Sequence, residues 1–130
     1  MKKTILLISI LFCVSCFHKK ERHTKLNDTL WECQIDSNCV NYYKFITDNT
    51  FEFYSCEMEF ISAGEYYFED DFLMIHQNVI FDNVDDLEVN RLFKLMITDN
   101  YLEHLSVSEL KDGKWIESDF KFDSKYKYYL

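Results

Sequence analysis

Proline is missing from this 130-residue chain, and glycine occurs only twice, at Gly64 and Gly113. So little glycine leaves no room for a glycine-rich phosphate loop or for the strained G-x-S-x-G elbow of a serine hydrolase. H-E-x-x-H is absent too, and Cys33, Cys39 and Cys56 show no C-x2-C spacing that would suggest a zinc site. Long hydrophobic runs are lacking: the main apolar stretch, Thr4–Val14, is eleven residues, against the roughly 20 that spanning a bilayer takes. Basic residues are scarce beyond the first stretch of chain. From Thr24 onward nine Lys/Arg stand against 22 Asp/Glu, a net charge of −13. That balance disfavours nucleic acid, whose binding rests on neutralising phosphates. It permits a basic protein partner, since fields of this size steer association, although solubility accounts for the charge equally well.

These absences leave no catalytic signature, and the chain reads as no enzyme, with no cofactor and no metal site. The pairs Glu57/Glu59 and Asp70/Asp71 offer carboxylates, but nothing beyond their presence points to glycoside hydrolysis. Asp82, Asp85, Asp86 and Glu88 crowd one connection in a spacing that matches no calcium loop. They read as a solvated acidic loop.

What is present begins with an address. Lys2 and Lys3 precede the apolar segment Thr4–Val14, which Ser15 and Cys16 close. A charged head, a short apolar core and a small residue at the cut site mark an export signal. The run Cys13-Val14-Ser15-Cys16 resembles the cleavage site of bacterial lipoproteins. That resemblance implies removal of residues 1–15, lipid on Cys16, and a membrane anchor through it. Several acyl chains hold firmly where one binds marginally. Phe17 follows the cysteine, not the aspartate of an inner-membrane retention signal, so the resemblance implies the outer membrane and a periplasm-facing domain. Residues 16–27 read as lipidated cysteine and polar tether, and residues 28–130 as one β domain.

In that domain the apolar residues alternate. Trp31, Cys33 and Ile35 share a face, and the runs Val40–Thr47 and Thr50–Glu57 flank Thr47-Asp48-Asn49. Asn tolerates the left-handed backbone that a three-residue hairpin loop needs at its last position. This register sets Phe45 opposite Phe51 and Tyr43 opposite Phe53. Gly64–Glu69 and Phe72–Gln77 form a second hairpin, aligning Tyr66 with Ile75 and Phe68 with Leu73. Asn78–Asn90 reads as the longest connection. Arg91–Thr98 and Tyr101–Ser108 make a third hairpin around a second Ile-Thr-Asp-Asn, Ile97–Asn100. Asp112-Gly113 is a strong hairpin signal, and Trp115–Phe122 reads as a last strand that Lys125–Leu130 extends.

About eight strands in sequential hairpins predict an all-β, antiparallel up-and-down meander, closed or nearly closed into a barrel; a β-sandwich is the alternative. The order Trp31, Tyr43-x-Phe45, Asp48-Asn49-Thr50-Phe51, Gly64-x-Tyr66, Leu73-x-Ile75 resembles small bacterial lipocalin-like lipoproteins. The likeness covers Leu30–Ile75. It implies a binding module for a small apolar molecule or lipid, with Tyr43, Phe45, Phe53, Tyr66 and Ile75 lining its interior. An acidic inhibitor or immunity-type protein against a basic envelope enzyme, or a structural subunit of an outer-membrane assembly, are the other readings. The exported cysteines Cys33, Cys39 and Cys56 allow three connectivities. Cys33 and Cys39 flank a five-residue loop, while strand alternation points Cys39 and Cys56 to different faces. Cys33–Cys39 is therefore the pairing expected, leaving Cys56 as a buried thiol. His104 faces inward if the second Ile-Thr-Asp-Asn hairpin copies the first, yet Phe93, Leu95 and Ile97 argue for the other face.

Overall fold

A computed structural model describes residues 25–82, 84–98 and 100–129. The signal segment, Cys16 and most of the tether lie outside the described residues. Nine strands follow in order: β1 Thr29–Asp36, β2 Cys39–Phe45, β3 Thr50–Ser55, β4 Phe60–Glu69, β5 Phe72–Phe81, β6 Asp86–Thr98, β7 Tyr101–Lys111, β8 Lys114–Glu117 and β9 Lys125–Tyr129. Each strand from β1 to β7 pairs antiparallel with the next, and β9 lies between β7 and β1. Eight strands thereby close into an up-and-down barrel, with β8 as an additional strand on β7. Closure leaves the cycle without an unpaired edge. It takes place wholly within the described residues, so the chain from Thr24 onward holds every strand and core residue named below.

The first two hairpins form in the expected registers, Tyr43↔Phe53 and Phe45↔Phe51 in one, Tyr66↔Ile75 and Phe68↔Leu73 in the other. Their inward residues pack one end of the barrel. Leu26, Trp31, Phe45, Phe51, Leu73, Ile75, Leu95 and Leu102 are buried there, and the Phe45 ring meets Tyr66 edge-on at 4.8 Å. Fully burying one such side chain contributes about 1.5–3 kcal/mol. Leu26 enters this core just before β1, where its carbonyl accepts from the Thr29 N–H at 3.1 Å.

The two Ile-Thr-Asp-Asn turns are spelled alike and close differently. In the first, Ile46 N–H donates to the Thr50 carbonyl at 2.9 Å. Thr47 Oγ1 holds the loop, accepting from the N–H groups of Asn49 at 3.3 Å and Thr50 at 3.1 Å. Asn49 therefore needs no left-handed backbone and does not adopt one, contrary to expectation; Asn100 does, at φ 74°. The second turn pairs Thr98 with Tyr101, shifting the register by one residue relative to the first. Leu95 then falls opposite His104, and β7 bulges at Leu105 before Lys94 meets Ser106. Both Leu95 and His104 point inward, so the conflict over His104 dissolves in a one-residue shift.

Three other expectations are corrected. Asn78–Asn90 is not one long connection: β5 runs to Phe81 and β6 begins at Asp86, paired through Val79↔Glu88 and Ile80↔Leu87. The fourth strand starts at Phe60, not Gly64, because Ser55↔Phe60 already pairs across a turn with Glu59 at φ 52°. Trp115–Phe122 is not one strand. β8 stops at Glu117, and six residues, 119–124, loop out before β9 resumes pairing along the same edge of β7.

The disulfide joins Cys39 to Cys56, with Cα atoms 5.5 Å apart. The expected Cys33–Cys39 pair does not form, and Cys33 is a buried free thiol. Register explains the difference. Cys33 lies opposite Asn41, while Cys39 lies opposite Asp36. Cys56 falls just beyond β3, freed from strand alternation, and its N–H donates to Asn41 Oδ1 at 2.8 Å. That places Cys56 beside the start of β2.

Candidate functional site

The barrel is packed at the end where β1 begins and hollow at the end where it finishes. The hollow end holds a cavity of about 740 Å³, within the range of small-molecule sites. Phe51, Phe53, Phe60, Ile75 and Phe93 supply apolar walls from β3, β4, β5 and β6. The loop between β8 and β9 contributes Phe120 and Phe122 to the lining, and the Phe122 ring stacks on His104 at 4.6 Å. Glu57, Met58, Asp123 and Lys125 also line it.

Small and polar residues make the space. Ser62 and Gln77 face inward from β4 and β5, and Asn41 and Ser55 from β2 and β3. Asn41 and Ser55 are spent on the protein: Asn41 Nδ2 donates to Glu57 Oε2 at 3.4 Å, and Ser55 Oγ accepts from the Met58 N–H at 3.3 Å. Ser62 Oγ, Gln77 Oε1 and His104 Nδ1 are different. They are buried, with no hydrogen-bond partner among the described residues. A buried polar atom left unpaired costs about 1–3 kcal/mol.

His104 marks the floor. Its Nε2 lies 2.8 Å from the Tyr43 hydroxyl, and the rings of Phe93, Phe122 and Tyr126 surround it. Burial disfavours the imidazolium and lowers its pKa to about 4. Burial also pushes Tyr43 well above the usual phenol range and Tyr126 up to about 12. The floor is uncharged at neutral pH. Cys33 lines the cavity as well, its pKa raised by burial.

Of the five residues expected to line a ligand site, Tyr43, Phe53 and Ile75 border the cavity. Phe45 and Tyr66 do not. They belong to the packed end, where the Tyr66 hydroxyl donates to the Thr47 carbonyl at 2.6 Å. Sequence reasoning missed Ser62, Gln77, Arg91, Phe120 and Phe122. The available signal was an interruption: apolar alternation fails at Ser62 and Gln77 inside otherwise regular strands. Among the described residues, no group of three or more His, Cys, Asp or Glu side chains could hold a metal ion. No known family, curated protein or solved structure matches the chain.

Proposed function

We propose that the protein is a lipid-anchored, non-catalytic envelope protein whose lipocalin-like barrel binds a small apolar molecule or lipid. The observation that carries this reading is the cavity itself. A barrel of this size can fill its interior with side chains, and this one does so only at one end. The lipoprotein-like segment ending at Cys16 supports an outer-membrane anchor. Leu26, just before β1, lies at the packed end, and the eight residues of β1, about 26 Å of extended strand, run from there towards the hollow end.

The test is a fluorescence titration of N-phenyl-1-naphthylamine into the Thr24–Leu130 protein. The expected result is a saturable rise at one probe per chain, insensitive to salt. No saturable signal would remove the reading. The acidic surface favours the rival, a basic protein partner, and binding of that kind weakens as salt screens it.

A further inference from the structure

We infer that the cavity selects a neutral amphiphile, a hydrocarbon body carrying one hydroxyl or amide group that Ser62, Gln77 and His104 receive. This deepens the binding-module reading and rests on it. The three residues line the cavity and are only 0%, 4% and 7% exposed, and each carries a buried polar atom with no hydrogen-bond partner among the described residues.

Their chemistry decides what the ligand must offer. Gln77 Oε1 accepts only, so the ligand has to present an O–H or N–H. Ser62 Oγ–H can donate to the ligand's oxygen in return. The two sit on adjoining strands, with Gly64 opposite Gln77 and Ser62 two residues along β4. The backbone positions of diagonal neighbours of this kind lie roughly 7–8 Å apart, within reach of a long side chain such as that of Gln77, so both side chains can approach the same ligand head. His104 closes the third side. Neutral imidazole has one donor and one acceptor nitrogen, so Nδ1 takes whichever role Nε2 leaves after its bond to Tyr43.

Charged head groups fit badly. An ionised carboxylate brings no hydrogen for Gln77 Oε1, and an ammonium finds no carboxylate among these three groups, since the carboxylates of the lining, Glu57 and Asp123, belong to exposed residues. Burying an unpaired ion costs far more than burying an unpaired dipole. The cations at the rim are already engaged: Arg91 lies 3.5 Å from Glu109, and Lys125 lies 3.7 Å from Glu103. Glu57 and Asp123 add negative charge beside them.

The experiment displaces N-phenyl-1-naphthylamine from the Thr24–Leu130 protein at pH 7.5. The competitors are 1-decanol, decanamide, decanoate and decylamine, matched in chain length and kept below micelle formation. Decanol and decanamide should displace the fluorophore at concentrations at least ten-fold below those of decanoate and decylamine. Ser62→Ala and Gln77→Met should each narrow that gap several-fold. Equal potency of either charged probe, or fluorophore binding that no probe of the four displaces, overturns the head-group assignment and leaves the cavity reading standing. Failure of the fluorophore itself to bind overturns both. The wild-type panel decides even if a variant does not fold.

Discussion

Tyr43 on β2 and His104 on β7 meet across the barrel, hydroxyl oxygen to Nε2, 2.8 Å apart and both buried. This pair is the floor of the cavity, and it makes stability depend on acid. Unfolded, His104 takes a proton near its ordinary value of 6.5; folded, burial holds it to about 4. Between those values the unfolded chain binds more protons, so stability is full above pH 6.5 and falls as pH drops toward 4. The loss attributable to His104 amounts to about 3 kcal/mol at most. Denaturant midpoints of wild type and His104→Gln, taken from pH 7.5 to 4.5, check this. The carboxylates are common to both, so wild type should lose more stability. Parallel curves would contradict the assignment.

Cys39 and Cys56 close a loop with a sequence separation of 17. Reduction, or the paired change Cys39→Ser with Cys56→Ser, should cost roughly 3 kcal/mol. The Thr24–Leu130 protein, unfolded without reductant, should accept one alkyl group, on Cys33. Three modified thiols, or the label on Cys56, would show that the pairing is wrong.

The two glycines should respond unequally to alanine. A Cβ on Gly64 would collide with the His76 carbonyl oxygen, a backbone atom that cannot swing aside, where β5 bulges. Gly64→Ala should therefore cost about 3 kcal/mol or more. Gly113 has open space around it and only its left-handed φ of 74° to defend. Gly113→Ala should cost about 1–2 kcal/mol. Thermal or urea melts of the two variants give the comparison, and a milder effect at Gly64 would count against the β4–β5 register.

Phe45 and Phe53 separate packing from binding. Phe45 is fully buried at the closed end, whereas Phe53 is half-buried on the cavity wall. Phe45→Ala should destabilise by about 3–5 kcal/mol. Phe53→Ala should cost less and shift the affinity for N-phenyl-1-naphthylamine instead. Tyr66→Phe removes one hydrogen bond and should cost about 0.5–1.5 kcal/mol with unchanged probe affinity.

How far the sequence could be read follows the same division of the barrel. Towards the filled end, the inward residues Phe45, Phe51, Tyr66 and Leu73 belong to runs with large apolar residues at every second position, and the first two hairpins and their registers were legible. Where side chains line a cavity, inward positions carry Ser62, Gly64, Gln77 and Arg91, and the period-two signal disappears. The start of β4, the end of β5 and the beginning of β6 were lost for that reason. The interruption between β8 and β9 was invisible because Phe120 and Phe122 continue the alternation of Ile116 while the backbone leaves the ladder. Cys56 was misjudged because strand alternation was carried one residue past Ser55. The identical turn letters hid a one-residue difference, which only the pairing of Thr98 with Tyr101 reveals.

The most direct test of the central claim is a native mass spectrum of the Thr24–Leu130 protein, purified gently from an oxidising periplasm without detergent and then mixed with 1-decanol. The account predicts a single extra mass per chain, carried from the cell or supplied by the alcohol and removed by organic solvent. A bare protein mass under both conditions would mean that the hollow end of the barrel holds no ligand of this kind, and would contradict the account.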